Sequence, residues 1–176
     1  MKWPTHQIGG VLFGLGASGA AGFSVDEAIA FTVGAFAASI APDVDATMRL
    51  RKRYDHKSLP HSLVFGGLGS VILAFIVYSW LATNAPSTYN DLIPAGTVAL
   101  LAPGAAVGYL SHLALDAMNP SGIWLFMPKG VRIGLTRKRT IRTGSFKELL
   151  VSAVMLVGCV LLTGPVLGVP VAGVLS

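Results

Sequence analysis

Gly108-Tyr-Leu-Ser-His112-Leu-Ala-Leu-Asp116-Ala-Met-Asn-Pro120-Ser-Gly122 ends a long apolar stretch and carries a histidine and a carboxylate four residues apart. On an α-helix, that spacing places His112 and Asp116 on one face, about one turn apart. Asn119, Pro120 and Gly122 then stop the helix, so the pair lies in its last turns, where a membrane span would leave hydrocarbon for water. The stretch therefore predicts half of a metal site at a membrane surface.

The composition of the chain is that of an integral membrane protein. Hydrophobic residues make up 53% of it and charged residues 12%, whereas an ordinary soluble domain has about 25% charged residues. The length of 176 residues predicts one domain, residues 1–176, folded as an all-α membrane bundle of about five transmembrane helices. Cys159 is the single cysteine, which leaves histidine and carboxylate as the side chains available for a metal site.

Polar turns divide the apolar sequence into five candidate helices. Two of them begin with the pattern of a capping box, Ser24-x-x-Glu27 and Ser145-x-x-Glu148, in which the serine and the glutamate satisfy free amides at the helix start. The five candidate helices cover about residues 7–23, 24–41, 62–82, 93–117 and 145–163.

Small residues and a proline predict how these helices pack. The pairs Gly10-x-x-x-Gly14 and Gly104-x-x-x-Gly108 predict close contacts between helices, because glycine lets two backbones approach. Pro103 predicts a kink in the fourth helix. The same glycines would allow a homo-oligomer as readily as a bundle within one chain.

Lysine and arginine are confined to three parts of the chain, the N-terminus, the 49–57 loop and the 129–147 segment. With five alternating spans, all three parts face the same side. By the positive-inside rule that side is the cytoplasm, so the sequence predicts a multi-pass protein of the inner membrane. A secretory signal peptide is the alternative interpretation of the first span, but the remaining chain is equally apolar and would form no stable core outside the membrane.

All four histidines fall on the predicted cytoplasmic side, together with carboxylates from other segments. Histidine nitrogen and carboxylate oxygen suit zinc, manganese or iron, and such ions lower the pKa of a coordinated water toward about 7. Two or more ions can also stabilise the attacking oxygen and the leaving oxygen when a phosphoryl group is displaced. The predicted metal ligands are His6, Asp43, Asp45, His56, His61, His112 and Asp116, and the candidate general bases are Asp45 and Glu148.

Each part of this constellation also has a simpler interpretation. His112 and Asp116 can form a hydrogen-bonded pair between helices. Pro42-Asp43-Val-Asp45 can be a helix stop with a solvated turn, and Glu148 can be a helix cap. The basic segments can serve only to orient the chain and contact anionic lipid. The convergence of these groups at one membrane face favours the metal site.

With these residues, the chain resembles the YdjM-like family of membrane-bound metal-dependent hydrolases over most of its length. The family motifs correspond to Thr5-His6, Pro42-Asp43-Val-Asp45, His56-Lys57-Ser-Leu-Pro60-His61-Ser62 and the 108–122 stretch. Lys57 stands where the family has arginine, and Pro60 stands where it has threonine. The resemblance implies a helical membrane hydrolase, in a family of which some members are linked to the LexA-controlled DNA-damage response.

A more distant likeness is to zinc-dependent phospholipase C and single-strand nucleases, which bind several zinc ions through aspartate, spaced histidines and a helical His-x-x-x-Asp. We therefore predict a metal-dependent phosphoesterase or phospholipase that acts on phospholipid or phosphodiester, with membrane lipid as partner and nucleic acid not excluded. The alternative is a metal-binding membrane protein without catalysis, such as a carrier or a regulatory or structural partner. A carrier would place polar ligands near the bilayer midplane, whereas these lie at the ends of spans.

Overall fold

The computed structural model describes residues 2–43, 61–84, 94–119, 122–126, 132–134 and 141–166, which are mainly α-helical. A short 3-10 turn, Ala41–Asp43, follows the second helix. One two-stranded antiparallel ladder, which the sequence analysis did not foresee, pairs β1 (Ile123–Trp124) with β2 (Arg132–Ile133). Strands of two residues are too short to show an alternating pattern. The helices are α1 (Trp3–Ala20), α2 (Val25–Ala38), α3 (Leu63–Asn84), α4 (Ala95–Ala99), α5 (Leu101–Ala117) and α6 (Phe146–Val166).

The two predicted capping boxes differ in the structure. At the start of α2 the box is complete, and the backbone N–H of Ser24 donates to Glu27 Oε2 at 2.8 Å. At the start of α6, Ser145 Oγ accepts the N–H of Glu148 at 3.3 Å. The reciprocal bond of a capping box, from the Ser145 N–H to the Glu148 carboxylate, is replaced by another. The N–H of Ser145 donates to the carbonyl of Arg142 at 3.0 Å, which leaves the Glu148 carboxylate available to other donors.

The fourth predicted helix is interrupted in the structure. α4 ends at Ala99, and α5 begins at Leu101, two residues before Pro103. Proline has no N–H to donate to the carbonyl four residues earlier, here that of Ala99. At the break itself, the N–H of Leu100 donates to the carbonyl of Thr97, three residues earlier, at 3.1 Å. The interruption lies close to Pro103, and the kink itself stays a prediction.

α5 is the central helix, because it packs against α1, α2 and α3, while α6 packs against α1. Two glycines of α5 face the backbone of α2. A methyl group added at Gly108 would overlap the carbonyl oxygen of Ala35, and one added at Gly104 would overlap that of Phe31. The predicted close packing at this glycine pair is confirmed.

The outer faces of the helices are apolar. Val64, Leu68 and Phe75 of α3 are each at least 63% exposed, as are Phe146 and Leu149 of α6, and contiguous exposed apolar surface is typical of proteins that contact lipid or partners. Three described segments are long and apolar enough to cross a membrane: Val25–Asp43, Gly96–Ala117 and Phe146–Thr163. The count of about five transmembrane helices stays a prediction.

Candidate metal centre

Five buried histidine and aspartate side chains meet at the C-terminal end of α5. They come from the first turn of α1, the 3-10 turn after α2, the residue two positions before α3, and the last two turns of α5. None of the five is more than 8% exposed. We call this group the His/Asp cluster; its members are His6, Asp43, His61, His112 and Asp116.

Hydrogen bonds from outside the cluster orient the two residues of α5. His112 Nδ1 lies 2.7 Å from the carbonyl oxygen of Ser39. Because a carbonyl can only accept, Nδ1 carries the proton and donates, and Nε2 presents its lone pair to the cluster. Asn119 Nδ2 donates to Asp116 Oδ1 at 2.8 Å. Such outer contacts are typical of metal ligands, since they set the tautomer and the orientation of each ligand.

The atoms that face one another in the cluster lie at metal-ligand spacing. His61 Nε2 is 3.5 Å from Asp116 Oδ2, 3.6 Å from Asp43 Oδ1 and 3.4 Å from His112 Nε2. His112 Nε2 is 3.9 Å from each of the same two carboxylate oxygens. Two ligands that are each bound to a tetrahedral zinc at about 2.0 to 2.1 Å lie about 3.3 Å apart. The observed separations therefore approach those of a coordination shell.

His6 completes the cluster from α1. Its ring stacks on that of His112, with centroids 3.8 Å apart and an interplanar angle of 17°. Its Nε2 is 3.4 Å from Asp116 Oδ1, yet neither ring nitrogen makes a hydrogen bond within the part of the chain that the structure describes. Burying an imidazole without hydrogen bonds costs free energy of folding. A bound cation would give the lone pair of a His6 ring nitrogen a partner.

Two sets of these side chains could hold a metal ion. The first is His6, Asp43 and His112, and the second is His61, His112 and Asp116; within each set the ligand atoms lie within 4.8 Å of one another. The two oxygens of Asp116 face different histidines, Oδ1 toward His6 and Oδ2 toward His61. The nitrogen and oxygen donors, their spacing and their burial fit a divalent metal.

The charge state of His61 depends on the carboxylates around it. Burial alone would lower the pKa of His61, but contacts with Asp116 and Asp43 outweigh burial and raise the pKa above its usual value. A metal ion at His61 would therefore compete with a proton for the ring, as is general for histidine ligands.

The structure brings together five of the seven predicted metal ligands. The other two, Asp45 and His56, lie outside the described residues. Glu148, a predicted general base, is 3% exposed, and its described contacts are made away from the cluster. Its carboxylate accepts the backbone N–H of Lys2, the backbone N–H of Gly144 and, at 3.0 Å, the hydroxyl of Thr5. Its catalytic role stays a prediction.

Sequence reasoning missed the residues that support the ligands. Asn119 was interpreted only as part of a helix stop, although its spacing of three from Asp116 indicates that the two side chains can meet. Ser39 contributes a backbone carbonyl, which any residue could supply, so no sequence signal exists for it. Tyr109 donates its hydroxyl to the carbonyl of Ser62 at 2.7 Å, and this contact holds the backbone next to His61.

A helical bundle with apolar segments long enough to cross a membrane and a buried His/Asp cluster defines an α-helical membrane protein with a candidate metal centre. The chain matches the model of the YdjM inner membrane protein family over residues 1–172, and it belongs to this family. It is also 32% identical, over 165 residues, to the uncharacterized protein YvsG of Bacillus subtilis (strain 168). That match covers 87% of this chain and 88% of YvsG. No solved structure matches the chain.

Proposed function

We propose that this chain is a membrane-embedded, metal-dependent hydrolase that cleaves phosphoester bonds of phospholipids or phosphodiesters at the cytoplasmic face of the inner membrane. The observation that carries the proposal is the His/Asp cluster, in which buried ligand atoms face one another at 3.4 to 3.9 Å. Buried ionisable groups in a membrane protein are costly and usually functional.

The five cluster residues would hold the metal, and Asp45 and His56 would add ligands from outside the described residues. Nitrogen and oxygen ligands favour zinc, with manganese or iron as alternatives. The chemistry that a divalent metal supplies is activation of water near neutral pH. The two oxygens of Asp116 face different histidines, so Asp116 would hold the metal together with His6 or with His61.

The remaining roles fall to groups of the chain itself. Asp45 or Glu148 would take the proton of the attacking water. Lys2, Arg142 and Lys147 are exposed near the start of α1 and α6, where positive charge suits the phosphate of a lipid or nucleotide.

The positions of the cluster residues support the proposed orientation. They lie at the start of α1, after α2, before α3 and at the end of α5, which are the helix ends that alternating spans would bring to one membrane face. Exposed lysine and arginine lie at the starts of α1 and α6. By the positive-inside rule, this face is the cytoplasmic one in a multi-pass bundle of about five spans.

The first experiment is elemental analysis of the full chain purified in detergent. We expect near-stoichiometric zinc, manganese or iron in the wild type and loss of the metal in His61→Ala/His112→Ala at matched monodispersity. Asp26→Ala, which changes an exposed acid at the start of α2, is the control and should retain the metal. Absence of metal from metal-supplemented wild type would contradict the proposal.

The second experiment measures hydrolysis of phospholipid vesicles and of a chromogenic phosphodiester by the same samples. We expect hydrolysis by the metal-loaded wild type, its loss with a chelator, and no hydrolysis by the double variant. Metal-loaded wild type that cleaves neither substrate would contradict the assignment to phosphoesters.

One observation favours a second candidate, a metal-binding membrane protein without catalysis. His61 and His112 are 0% exposed, and full burial suits a metal that joins helices rather than one that meets a substrate. This candidate predicts stoichiometric metal without hydrolysis. Metal uptake into proteoliposomes, abolished by His112→Ala, would identify a carrier.

A further inference from the structure

His6 differs from His112 and Asp116 in how its side chain is held in place. His112 is held by the Ser39 carbonyl and Asp116 by the Asn119 amide, whereas neither ring nitrogen of His6 has a hydrogen bond in the described part of the chain. The placement of His6 therefore depends on the backbone of the first turn of α1, on stacking against His112 and on the longer contact with Asp116.

Among the described residues, that first turn has no side-chain cap of its own. Lys2 is the N-cap residue, and within the described residues its side chain makes no capping hydrogen bond. The first turn of α1 contains no acidic residue. A helix start in which free amides have neither a cap nor a negative charge nearby is prone to fray.

Glu148 supplies the missing cap from another helix. Its carboxylate accepts the N–H of Lys2 and, through Oε1 at 3.0 Å, the hydroxyl of Thr5, the residue directly before His6. Oε2 accepts the N–H of Gly144 just before α6. One buried negative charge thus lies at the starts of both α1 and α6, where helix dipoles favour it.

A second hydroxyl reinforces this junction. Thr5 Oγ1 lies 3.0 Å from Ser152 Oγ, one turn further along α6 from Glu148. Thr5 is 3% exposed, and its hydrogen bond to Glu148 is buried, where a lost partner costs most. The contacts of Lys2 and Thr5 therefore tie the start of α1 to Glu148 and Ser152 of α6.

We infer that Glu148 and Thr5 are positioning residues that hold His6 in place for metal binding. The inference rests on the proposed metal-dependent function and leaves Asp45 as the general base. Loss of either contact should weaken metal binding through His6, since partners that orient a ligand contribute about 10- to 100-fold in metal affinity.

The experiment titrates the metal-free full chain in detergent with Co²⁺ and records visible absorption, which reports both affinity and the ligand set. The variants are Glu148→Gln, Thr5→Val and the conservative Thr5→Ser, each alone and with His6→Ala. Glu27→Gln is the matched control, because Glu27 also caps a helix start, that of α2, and among the described residues its carboxylate accepts hydrogen bonds from Ser24 alone.

We expect Glu148→Gln and Thr5→Val to weaken Co²⁺ binding about 10- to 100-fold and to shift the absorption toward that of His6→Ala. Thr5→Ser and Glu27→Gln should bind as the wild type does. In the His6→Ala background, Thr5→Val should have no further effect, because coupled residues are not additive. A merely structural role would add to the loss in that background.

Wild-type affinity and absorption in both Glu148→Gln and Thr5→Val would overturn the inference. Normal Co²⁺ binding by Glu148→Gln with loss of hydrolysis would also overturn it, and would assign Glu148 as the general base. If Glu148→Gln is not monodisperse, the isosteric Thr5→Val decides alone. Absence of Co²⁺ binding by the wild type would instead contradict the metal-dependent function itself.

Discussion

Tyr109 lies one turn before His112 on α5 and acts on a different ligand. Its buried hydroxyl donates to the carbonyl of Ser62 at 2.7 Å, and Ser62 follows His61. The hydrogen bond therefore couples α5 to the backbone that carries a ligand from another segment.

We expect Tyr109→Phe to lower the free energy of unfolding by about 1 to 3 kcal/mol, because the buried Ser62 carbonyl loses this donor. Metal affinity should fall with it, since the backbone beside His61 is released. Isothermal titration with zinc and thermal unfolding in detergent measure the two effects. Tyr78→Phe, on the half-buried side of α3, is the control, and an equal effect there would contradict the prediction.

Asn119 gives a second prediction at the scale of single residues. Its amide donates to Asp116 Oδ1, and Asn119→Ala should weaken zinc binding about 10- to 100-fold by releasing that carboxylate. The measurement is competition for zinc with a chelator of known affinity. Unchanged affinity at full occupancy would show that Asp116 is oriented by other contacts.

At the scale of elements, the glycine face of α5 sets the distance between two ligand-bearing segments. α2 leads to Asp43 and supplies the Ser39 carbonyl, whereas α5 carries His112 and Asp116. The contact of Gly108 with the backbone of α2 lets these groups meet.

We expect Gly108→Ala to destabilise the fold by about 1 to 3 kcal/mol, because the added methyl group overlaps backbone that cannot move aside cheaply. Zinc affinity should fall as α2 and α5 separate. Gly67→Ala, on α3, would place its new methyl group more than 4 Å from every atom of the described residues apart from its chain neighbours and the adjoining backbone of α3, and it serves as the control. Thermal unfolding of both variants in the same detergent tests this, and equal midpoints would disprove it.

The elements also show what sequence can predict. His112 and Asp116 were predicted as a pair because a spacing of four has one geometric meaning on a helix. The contact of Thr5 with Glu148 spans 143 residues, and no local pattern encodes it. Glu148 was interpreted as the second half of a capping box, but Arg142 takes the Ser145 amide, a competition within a turn that spacing does not reveal.

At the scale of the whole molecule, the helical class follows from composition, and the family assignment agrees with the resemblance seen in the sequence. The number of spans, the single domain and the side of the membrane stay predictions, because length and hydropathy do not place a helix in a bilayer. Asp45 and His56 stay predictions as well, since they lie outside the described residues.

Membrane orientation can be tested by cysteine labelling in a Cys159→Ala background. We expect a cysteine at Lys147 to react with an impermeant maleimide only in inverted vesicles, because the proposed topology puts that end of the bundle in the cytoplasm. A cysteine at Asn84, at the far end of α3, should react only in right-side-out spheroplasts. Labelling of both from the same side would contradict the proposed topology.

The His/Asp cluster draws on residues from position 6 to position 116, and this has a consequence for biosynthesis. The ribosome must release the chain beyond residue 116 before the ligands can be assembled, so in the proposed multi-pass bundle the nascent spans would enter the bilayer without metal. An ion that binds only the finished bundle adds to its stability by mass action. Metal supply would then influence how much of the newly made protein survives quality control, as well as how much of it is active.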